Sequence, residues 1–383
     1  MRKLLWIGDA CVSTGFARST HRILDVLRHT WDVSVLGINY NGDPHDYPYP
    51  VYPASPGGDL FGLGRVSQMV SAFTPDIIII QNDPWNIPEY LKRVGNIPTV
   101  AIVAVDGKNC RGRGLNGLAA AIFWTRFGEH EAQLGGYSGP SHVIPLGVDL
   151  ELYCPGDRQT ARKELGIPKK CLDAFIIGNV NRNQQRKRLD LCIEYFAKWL
   201  RKRGADDAYF FFHTAPTGDN GYDVKQLAHY YGVANHLLLA EPDIGRGVEE
   251  DDLARTYRSF DVMLTMTQGE GFGLPTFEGM ACGIPQIAPD WSALGELCAG
   301  AALLVPCTTI ACTPNKINVV GGIADREATI EALDNLYLDA DLRRSLIAAG
   351  LARVSEDRFR WGNIGVAVGA ALDEALGPGR GHG

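Results

Sequence analysis

The feature that most constrains the fold is an alternation of short apolar runs with amphipathic stretches, which occurs in two successive series. Several runs lack inside-out alternation, as expected for parallel strands that are buried on both faces. The first series predicts strands at Leu4–Gly8, Val33–Ile38, Asp76–Ile80, Thr99–Val105, Ala121–Thr125 and His142–Ile144. The second predicts strands at "DAFIIGNV", "AYFFFH", "HLLLA", "DVMLT", "PQIA" and "ALLV". We therefore predict an α/β protein with two doubly wound, Rossmann-like domains.

The boundary between the two domains is predicted from a polar, turn-rich segment, "YCPGDRQT", at residues 153–160. The predicted domains are residues 1–152 and residues 153–360, and 383 residues are enough for two domains of ordinary size. The last helix pattern, roughly 361–376, has no strand after it. We expect it to pack back on the N-terminal domain, followed by a frayed tail, "GPGRGHG".

Composition and charge indicate a reduced, soluble protein in the cytoplasm. No apolar run approaches the ~18 residues that a membrane span needs, and the opening "MRKLLWIGD" has an apolar run that suits a strand better than a signal peptide. The nine cysteines are scattered without a C-x-x-C pair, which disfavours a zinc site or a disulfide framework. The net charge of −7 does not point to a polyanionic partner.

Ligands of open α/β sheets bind beyond the carboxyl ends of the strands, so a two-domain chain predicts a site in the cleft between the domains. The first strand is followed by "GDACVSTGFARS", in which Gly15 opens a helix beginning near Phe16. The backbone N–H groups around Thr14, Gly15 and Phe16 could approach an anion or a sugar hydroxyl. The turn is not G-x-G-x-x-G, and its glycine could also be required by geometry alone.

A basic turn, "GNVNRNQQRKRLDL", follows the first strand of the second series. Arg182 and Lys187 lie five residues apart in this turn, which we predict to be exposed. The planar guanidinium of the arginine can bind phosphate oxygens in pairs, and the lysine ammonium acts as a compact point charge. Together, beside a helix N-terminus, they suit a diphosphate. The alternative is a solvated basic face, to which further cations nearby would belong: Arg186, Arg188, Arg201, Lys202 and Arg203.

Two glutamates surround a glycine-rich turn in "GEGFGLPTFEGMACGIP", residues 269–285. Glu270 lies at the mouth of the turn, and Glu278 lies about one turn into the helix that Pro275 begins. A carboxylate can accept paired hydrogen bonds from vicinal hydroxyls, which a ribose and a hexose each present. We predict that each glutamate holds one sugar, with a diphosphate on the amides between them. The alternative is a helix-capping acid at 278 and a surface acid at 270.

These motifs together resemble the retaining glycosyltransferases of the GT-B fold, particularly the large family 4. The 269–285 segment is similar to that family's E-x7-E signature, and "NRNQQRK" to its Arg-x4-Lys pair. Further similar segments are "VIPLGVDLELYCP", "AEPDIGRGVEEDDLARTYRSFDVML", "ADREATIEALDNLYLDADLRRSLIAAGLARV" and "FRW". The likeness covers most of residues 142–365 and is weaker at the start, where "STGFA" stands at the family's glycine-rich loop.

The resemblance implies a metal-independent enzyme, a hexosyltransferase that transfers the sugar of a nucleoside-diphosphate sugar with retention, UDP or GDP being the favoured nucleotides. It assigns the diphosphate to Arg182 and Lys187, the ribose to Glu278 and the donor sugar to Glu270. The amides beside the donor sugar would be those of Gly271, Phe272, Gly273 and Leu274. Residues near Pro242 to Ile244 would flank the base, and Gly15 with its neighbours would approach the phosphate or the acceptor. The donor sugar nucleotide is a substrate, and no separate cofactor is expected.

Two positions depart from the family pattern. The family often has a histidine near the sugar after the fourth N-terminal strand, where "VAIVAVDGKN" offers Asp106. An acid there could bind a hydroxyl of the acceptor or the donor, which leaves the identity of the sugar open. The family's usual "KG" is Lys187–Arg188 here.

Rival interpretations are a GT-B phosphorylase or epimerase, and a non-catalytic module that binds sugar nucleotides. The acceptor could be a glycan, a small molecule or a modified base in DNA, since some phage-encoded transferases of this general fold act on such bases in the host cytoplasm. The basic cluster at 182–203 hints only weakly at DNA because the net charge is negative. The oligomeric state is left open.

Overall fold

The chain forms two compact units in a computed structural model that describes residues 1–54, 58–215, 221–240, 248–314 and 318–377. Unit 1 comprises residues 1–147 and 357–383, and unit 2 comprises residues 148–356. The division therefore falls after Gly147 and before Asp357, whereas the sequence suggested boundaries after residues 152 and 360.

Unit 1 is built on a parallel sheet with helices on its faces. Its strands are β1 (Arg2–Asp9), β2 (Trp31–Ile38), β3 (Val51–Pro53), β4 (Ile77–Asn82), β5 (Thr99–Val103), β6 (Ala120–Phe123) and β7 (Ser141–Val143). Its first helices are α1 (Gly15–Leu27), α2 (Val66–Phe73), α3 (Ile87–Leu91) and α4 (Arg126–Leu134). The strand order is β3-β2-β1-β4-β5-β6-β7. The four isoleucines at 77–80 are all fully buried, as a central strand covered on both faces requires.

Unit 2 repeats this design with a six-stranded parallel sheet and adds a small antiparallel pair. Its strands are β8 (Phe175–Val180), β9 (Ala208–His213), β10 (Leu237–Ala240), β11 (Val262–Leu264), β12 (Gln286–Pro289), β13 (Leu303–Val305), β14 (Cys307–Cys312) and β15 (Val320–Ala324). Its helices are α5 (Arg158–Glu164), α6 (Leu189–Arg203), α7 (Val224–Tyr230), α8 (Glu250–Arg258), α9 (Leu274–Ala281), α10 (Ser292–Leu297), α11 (Arg326–Leu338) and α12 (Ala340–Val354). The order of the parallel sheet is β10-β9-β8-β11-β12-β13, and β14 pairs with β15.

The last helix, α13 (Trp361–Leu376), packs on α1 within unit 1. The two helices approach so closely at Gly365 that a Cβ there would lie 2.5 Å from Cβ of Val26. A glycine at 365 is therefore needed for this contact.

The strand orders place the predicted ligand segments at the points where the chain direction across each sheet reverses. In unit 1 this point lies between β1 and β4, and in unit 2 it lies between β8 and β11. The crevice beyond the carboxyl ends of strands at such a switch point is where doubly wound sheets bind ligands. The turns that follow β1, β8 and β11 all lie there.

Three short strands were not predicted. Strand β3 has three residues and ends in Pro53, which an edge strand tolerates. Strands β14 and β15 form a hairpin outside the parallel sheet, and the sequence series gave no signal for it. The predicted strand Thr99–Val105 ends earlier, at Val103, although the Ala104 N–H still donates to the Asn82 carbonyl at 3.3 Å.

Candidate functional site

Two loops of unit 2 meet at the carboxyl ends of the neighbouring strands β8 and β11. One carries the short turn Gln185–Lys187 after β8, and the other runs from Thr265 to Gly273 after β11. The Gln268 N–H donates to the Arg186 carbonyl at 2.7 Å, and the Thr267 hydroxyl lies 3.3 Å from the same carbonyl. The sheet thus brings the predicted basic turn against the predicted glutamate turn.

Glu270 is the centre of an ion cluster that joins these loops. Lys187 Nζ lies 2.5 Å from Glu270 Oε1, and Arg186 Nη1 lies 3.1 Å from Oε2 and 2.9 Å from the Gly269 carbonyl. Only 7% of Glu270 and 6% of Lys187 are exposed. Burial raises the pKa of the Glu270 carboxyl, but the charges and hydrogen bonds of Lys187 and Arg186 outweigh it and lower the pKa to about 2. The cluster is therefore ionised at neutral pH.

One expectation about this turn was wrong, and one alternative does not hold for Arg186. Lys187 was predicted to be exposed, but it is buried because a buried carboxylate needs a cation within hydrogen-bond reach. The alternative of a solvated basic face does not hold for Arg186, because its guanidinium donates to Glu270 and to the Gly269 carbonyl. Arg182 lies earlier in the same turn and is exposed.

The backbone around Glu270 is fixed from both sides. The Glu270 N–H donates to Ser292 Oγ at 3.0 Å. Gly273 has a φ of 96°, and a Cβ there would lie 2.5 Å from Leu294 Cδ2, so the turn before α9 requires glycine. Pro275 occupies the first turn of α9, where its missing N–H costs nothing. Helix α9 therefore begins at the carboxyl edge of the sheet, where the Thr276 N–H donates to the Gly273 carbonyl at 3.0 Å.

Glu278 lies inside α9 and is 2% exposed. Its Oε2 accepts a 2.6 Å hydrogen bond from the hydroxyl of Tyr257, a fully buried residue of α8. Phe272 is also buried, and its ring centre lies 4.7 Å from that of Phe277. Tyr257 was not predicted, since only the packing of α8 beside α9 reveals its contact with the glutamate.

His213 ends β9 at the same edge of the sheet, and Thr214 follows it. Neither His213 Nδ1 nor Thr214 Oγ1 has solvent contact or a hydrogen-bond partner within the described ranges. Burial lowers the pKa of His213 from 6.5 to about 4. The imidazole is therefore neutral at physiological pH.

Acidification should destabilise the protein through His213. The unfolded chain takes up this proton near pH 6.5 and the folded chain only near pH 4. Stability is complete above pH 6.5, and about 3 kcal/mol is lost as the pH falls to 4. Urea unfolding at both pH values should show a smaller loss for His213→Gln than for wild type. The exposed His229 supplies the control, and equal losses in His213→Gln and His229→Gln would contradict the assignment.

The predicted turn in unit 1 is organised by a carboxylate that sequence reasoning missed. Asp9, the last residue of β1, accepts hydrogen bonds from the Thr14 hydroxyl at 2.8 Å and from Asn39 Nδ2 at 3.1 Å. Thr14 Oγ1 in turn accepts from the Ala17 N–H at 3.1 Å and caps α1, which Gly15 begins. Phe16 packs edge-on against Trp124, with ring centres 5.6 Å apart.

The remaining predicted positions are distributed as follows. Asp106 lies half-buried in the segment after β5 of unit 1. Ile244 lies outside the described residues, as do its neighbours from Pro242. Among the residues that are described, no group of three or more His, Cys, Asp or Glu is placed to hold a metal ion. Within the same ranges, no helix combines the length and the apolarity that crossing a membrane would require.

Unit 2 also contains a cavity of about 530 Å³, which lies apart from the ion cluster at Glu270. It includes Asp261 and Ile284, which precede β11 and β12, and so it opens at the amino ends of the strands. None of the predicted donor residues lines it. The ion cluster at the opposite edge carries the chemistry that suits an anionic ligand.

Comparison with known families supports the resemblance seen in the motifs. Residues 173–318 match the family described as Glycosyl transferases group 1, so the predicted resemblance is confirmed. A D-inositol 3-phosphate glycosyltransferase of Stackebrandtia nassauensis is 30% identical over 239 residues, which are 61% of this chain and 48% of that protein. The enzyme of the same name from Geodermatophilus obscurus is 36% identical over 151 residues, 38% of this chain and 32% of the relative. The chain thus spans half or less of these curated relatives.

Solved structures show a likeness over the whole fold. Sucrose-phosphate synthase from Thermosynechococcus elongatus superposes with a TM-score of 0.78 at 17% sequence identity. The match covers 99% of this chain and 100% of the synthase chain. Anabaena HepE in complex with UDP-glucose superposes with a TM-score of 0.72 at 18% sequence identity. The match covers 97% of this chain and 99% of the HepE chain. At such identities the likeness concerns the fold. The predicted GT-B class, with two doubly wound Rossmann-like domains, is confirmed.

Proposed function

We propose that this chain, which resembles the group 1 glycosyl transferases over residues 173–318, is a sugar-nucleotide-dependent glycosyltransferase. It would transfer a hexose from UDP- or GDP-sugar to an acceptor hydroxyl with retention. The observation that carries this proposal is the buried cluster of Glu270, Lys187 and Arg186 at the carboxyl edge of unit 2.

The diphosphate would bind to the positive excess of this cluster. Two cations share one carboxylate at Glu270, and Arg182 adds a further positive charge in the same turn. The amino end of α9 begins three residues after Gly271 and favours an anion through its N–H groups. Cations and amides held in place before the reaction stabilise charge that develops on a leaving diphosphate.

The sugars of the donor would be divided between the two glutamates. Glu278, positioned by Tyr257, would accept hydrogen bonds from the ribose hydroxyls. Glu270 would accept from a hydroxyl of the transferred sugar while Lys187 and Arg186 hold its orientation. The solved complex of Anabaena HepE with UDP-glucose supports this type of donor.

Catalysis would be mainly electrostatic. The transition state of the transfer is oxocarbenium-like, and negative charge grows on the departing diphosphate. Glu270 is a poor candidate for a covalent nucleophile, because two cations occupy its oxygens and lower its pKa to about 2. The same cations would serve the leaving group without a metal ion. The acceptor would bind to unit 1, where Asp106 and the Thr14–Phe16 turn follow parallel strands.

The test is a thermal-shift screen with UDP-, GDP-, ADP- and TDP-glucose in EDTA, followed by donor hydrolysis without an acceptor. A donor at 100 times its Kd should stabilise the protein by about 2.7 kcal/mol. We expect one nucleotide to stabilise the chain and its sugar to be released slowly as the free hexose. Binding without hydrolysis or transfer would indicate a binding module, and a requirement for inorganic phosphate would indicate a phosphorylase. Activity that EDTA abolishes and Mg²⁺ restores would contradict metal independence.

A further inference from the structure

An aromatic cluster in unit 1 lies outside the residues discussed so far. It consists of His21 on α1 with His45, Tyr47 and Tyr49 from the segment between β2 and β3, and we call these four residues the aromatic platform. The rings of His21 and Tyr47 stack with centres 3.6 Å apart and planes 11° apart. Tyr47 and Tyr49 are nearly parallel at 6.2 Å, and His45 lies 5.5 Å from Tyr47. Tyr49 is buried, whereas 38% of Tyr47 is exposed.

Hydrogen bonds of His21 fix the platform beside the turn after β1. Its Nε2 lies 2.9 Å from the Ala10 carbonyl, which can only accept, so Nε2 carries the proton. Its Nδ1 lies 2.6 Å from the Tyr49 hydroxyl and accepts from it in the neutral ring. Burial lowers the pKa of His21, so the neutral form prevails at pH 7. Ala10 directly follows Asp9, which places the platform at the carboxyl edge of the unit 1 sheet.

The segment between β2 and β3, which carries three of the four platform residues, is acidic. Between Arg28 and Arg65 the chain contains four aspartates, at positions 32, 43, 46 and 59, and no lysine or arginine. Asp43 and Asp46 lie on either side of His45 and are both exposed. Arg28, the nearest preceding cation, is 3.6 Å from Asp25 on the same helix. Polyanions bind through lysine and arginine contacts to phosphates, so this charge pattern disfavours a nucleic acid here.

We propose that the aromatic platform binds the acceptor, and that the acceptor is a neutral carbohydrate whose ring lies against the exposed part of Tyr47. The inference rests on the proposed function, since it names the acceptor class for that transfer. The C–H face of a sugar ring is apolar and meets the negative face of an aromatic ring favourably. Asp43, Asp46 and His45 then supply the few polar groups that orient hydroxyls at such a site.

A nucleobase is the main competing occupant, because bases also stack on tyrosine and histidine. Its backbone phosphates would lie among Asp43, Asp46 and Asp59, with no cation from this segment to offset the repulsion. The charge of the segment therefore favours the carbohydrate.

The proposal can be tested by binding the 383-residue chain to a printed array of neutral oligosaccharides, with single-stranded and duplex DNA on the same surface. We expect binding to at least one neutral glycan and at least a tenfold loss in Tyr47→Ala. Tyr47→Phe should retain most of the binding, because the ring face makes the contact. Tyr230→Ala, which removes a 73% exposed tyrosine from α7 of unit 2, is the matched control and should bind like wild type.

Three outcomes would overturn the proposal: no neutral glycan binds, Tyr47→Ala binds glycans like wild type, or Tyr47→Ala loses DNA binding instead. Thermal unfolding of each variant checks that a loss of binding is not a loss of folding. Hydrolysis of UDP- and GDP-glucose by the wild-type protein tests the proposed transfer separately. Glycan binding without hydrolysis of any donor would contradict the proposed transferase activity, but it would still support glycan binding by the aromatic platform.

Discussion

Replacing Lys187 with alanine should lower turnover by about 10²–10³-fold and also destabilise unit 2 by about 3–5 kcal/mol. The loss of turnover follows from removing a cation that is aimed at the leaving diphosphate. The loss of stability follows because Glu270 is 7% exposed and, among the described residues, would keep Arg186 as its one charged partner. Steady-state turnover and urea unfolding of the same preparation measure both effects.

Three further variants separate the catalytic from the structural effect of Lys187. Arg182→Ala should lower turnover with little change in the free energy of unfolding, because Arg182 is exposed. Lys198→Ala removes one partner of a partly exposed ion pair on α6 and should leave both quantities nearly unchanged. The double variant Lys187→Met/Glu270→Gln removes both charges of the buried pair, so it should recover stability but not turnover. Near-wild-type turnover in both Lys187→Ala and Arg182→Ala would remove the diphosphate assignment.

The positions of the turns that form the candidate site could be predicted from the sequence, but the contacts between their side chains could not. Apolar runs and turns located the segments that hold Arg182, Glu270 and Gly15, and parallel strands place such turns at one edge of a sheet. The burial of Lys187 depends on its contact with Glu270, 83 residues further along the chain. The local pattern of residue types does not show that Arg186 and Lys187, rather than Arg188, contact that carboxylate.

The same limit explains the other residues that were missed. Tyr257 reaches Glu278 because α8 packs beside α9, and Asp9 reaches Asn39 because β1 pairs with β2. Each contact follows from the order of strands or helices, which the periodicity of a single sequence leaves undetermined. Strand β3 was not predicted for a different reason: three residues are too few to show the hydrophobic periodicity of a strand.

Replacing Glu278 with alanine should weaken the binding of bare UDP or GDP along with that of the intact donor. A hydrogen bond to a charged group contributes roughly 1.5–3 kcal/mol, so the loss of the ribose contact should lower nucleotide affinity by about 10- to 100-fold. Titration calorimetry with each nucleotide measures this directly. Glu331→Ala, which changes an exposed acid on α11, is the matched control.

Glu270→Gln should behave differently from Glu278→Ala: nucleotide affinity should be kept and turnover should fall. The substitution preserves size but removes the charge that Lys187 and Arg186 now share, so both cations remain available to a diphosphate. Bare nucleotide should therefore bind at least as tightly as it does to wild type. Turnover should nevertheless fall by about 10²-fold or more, because Glu270 no longer fixes the cations and the sugar hydroxyl in the geometry of the transition state. An equal loss of nucleotide affinity in Glu270→Gln and Glu278→Ala would show that the two carboxylates do not divide the donor in this way.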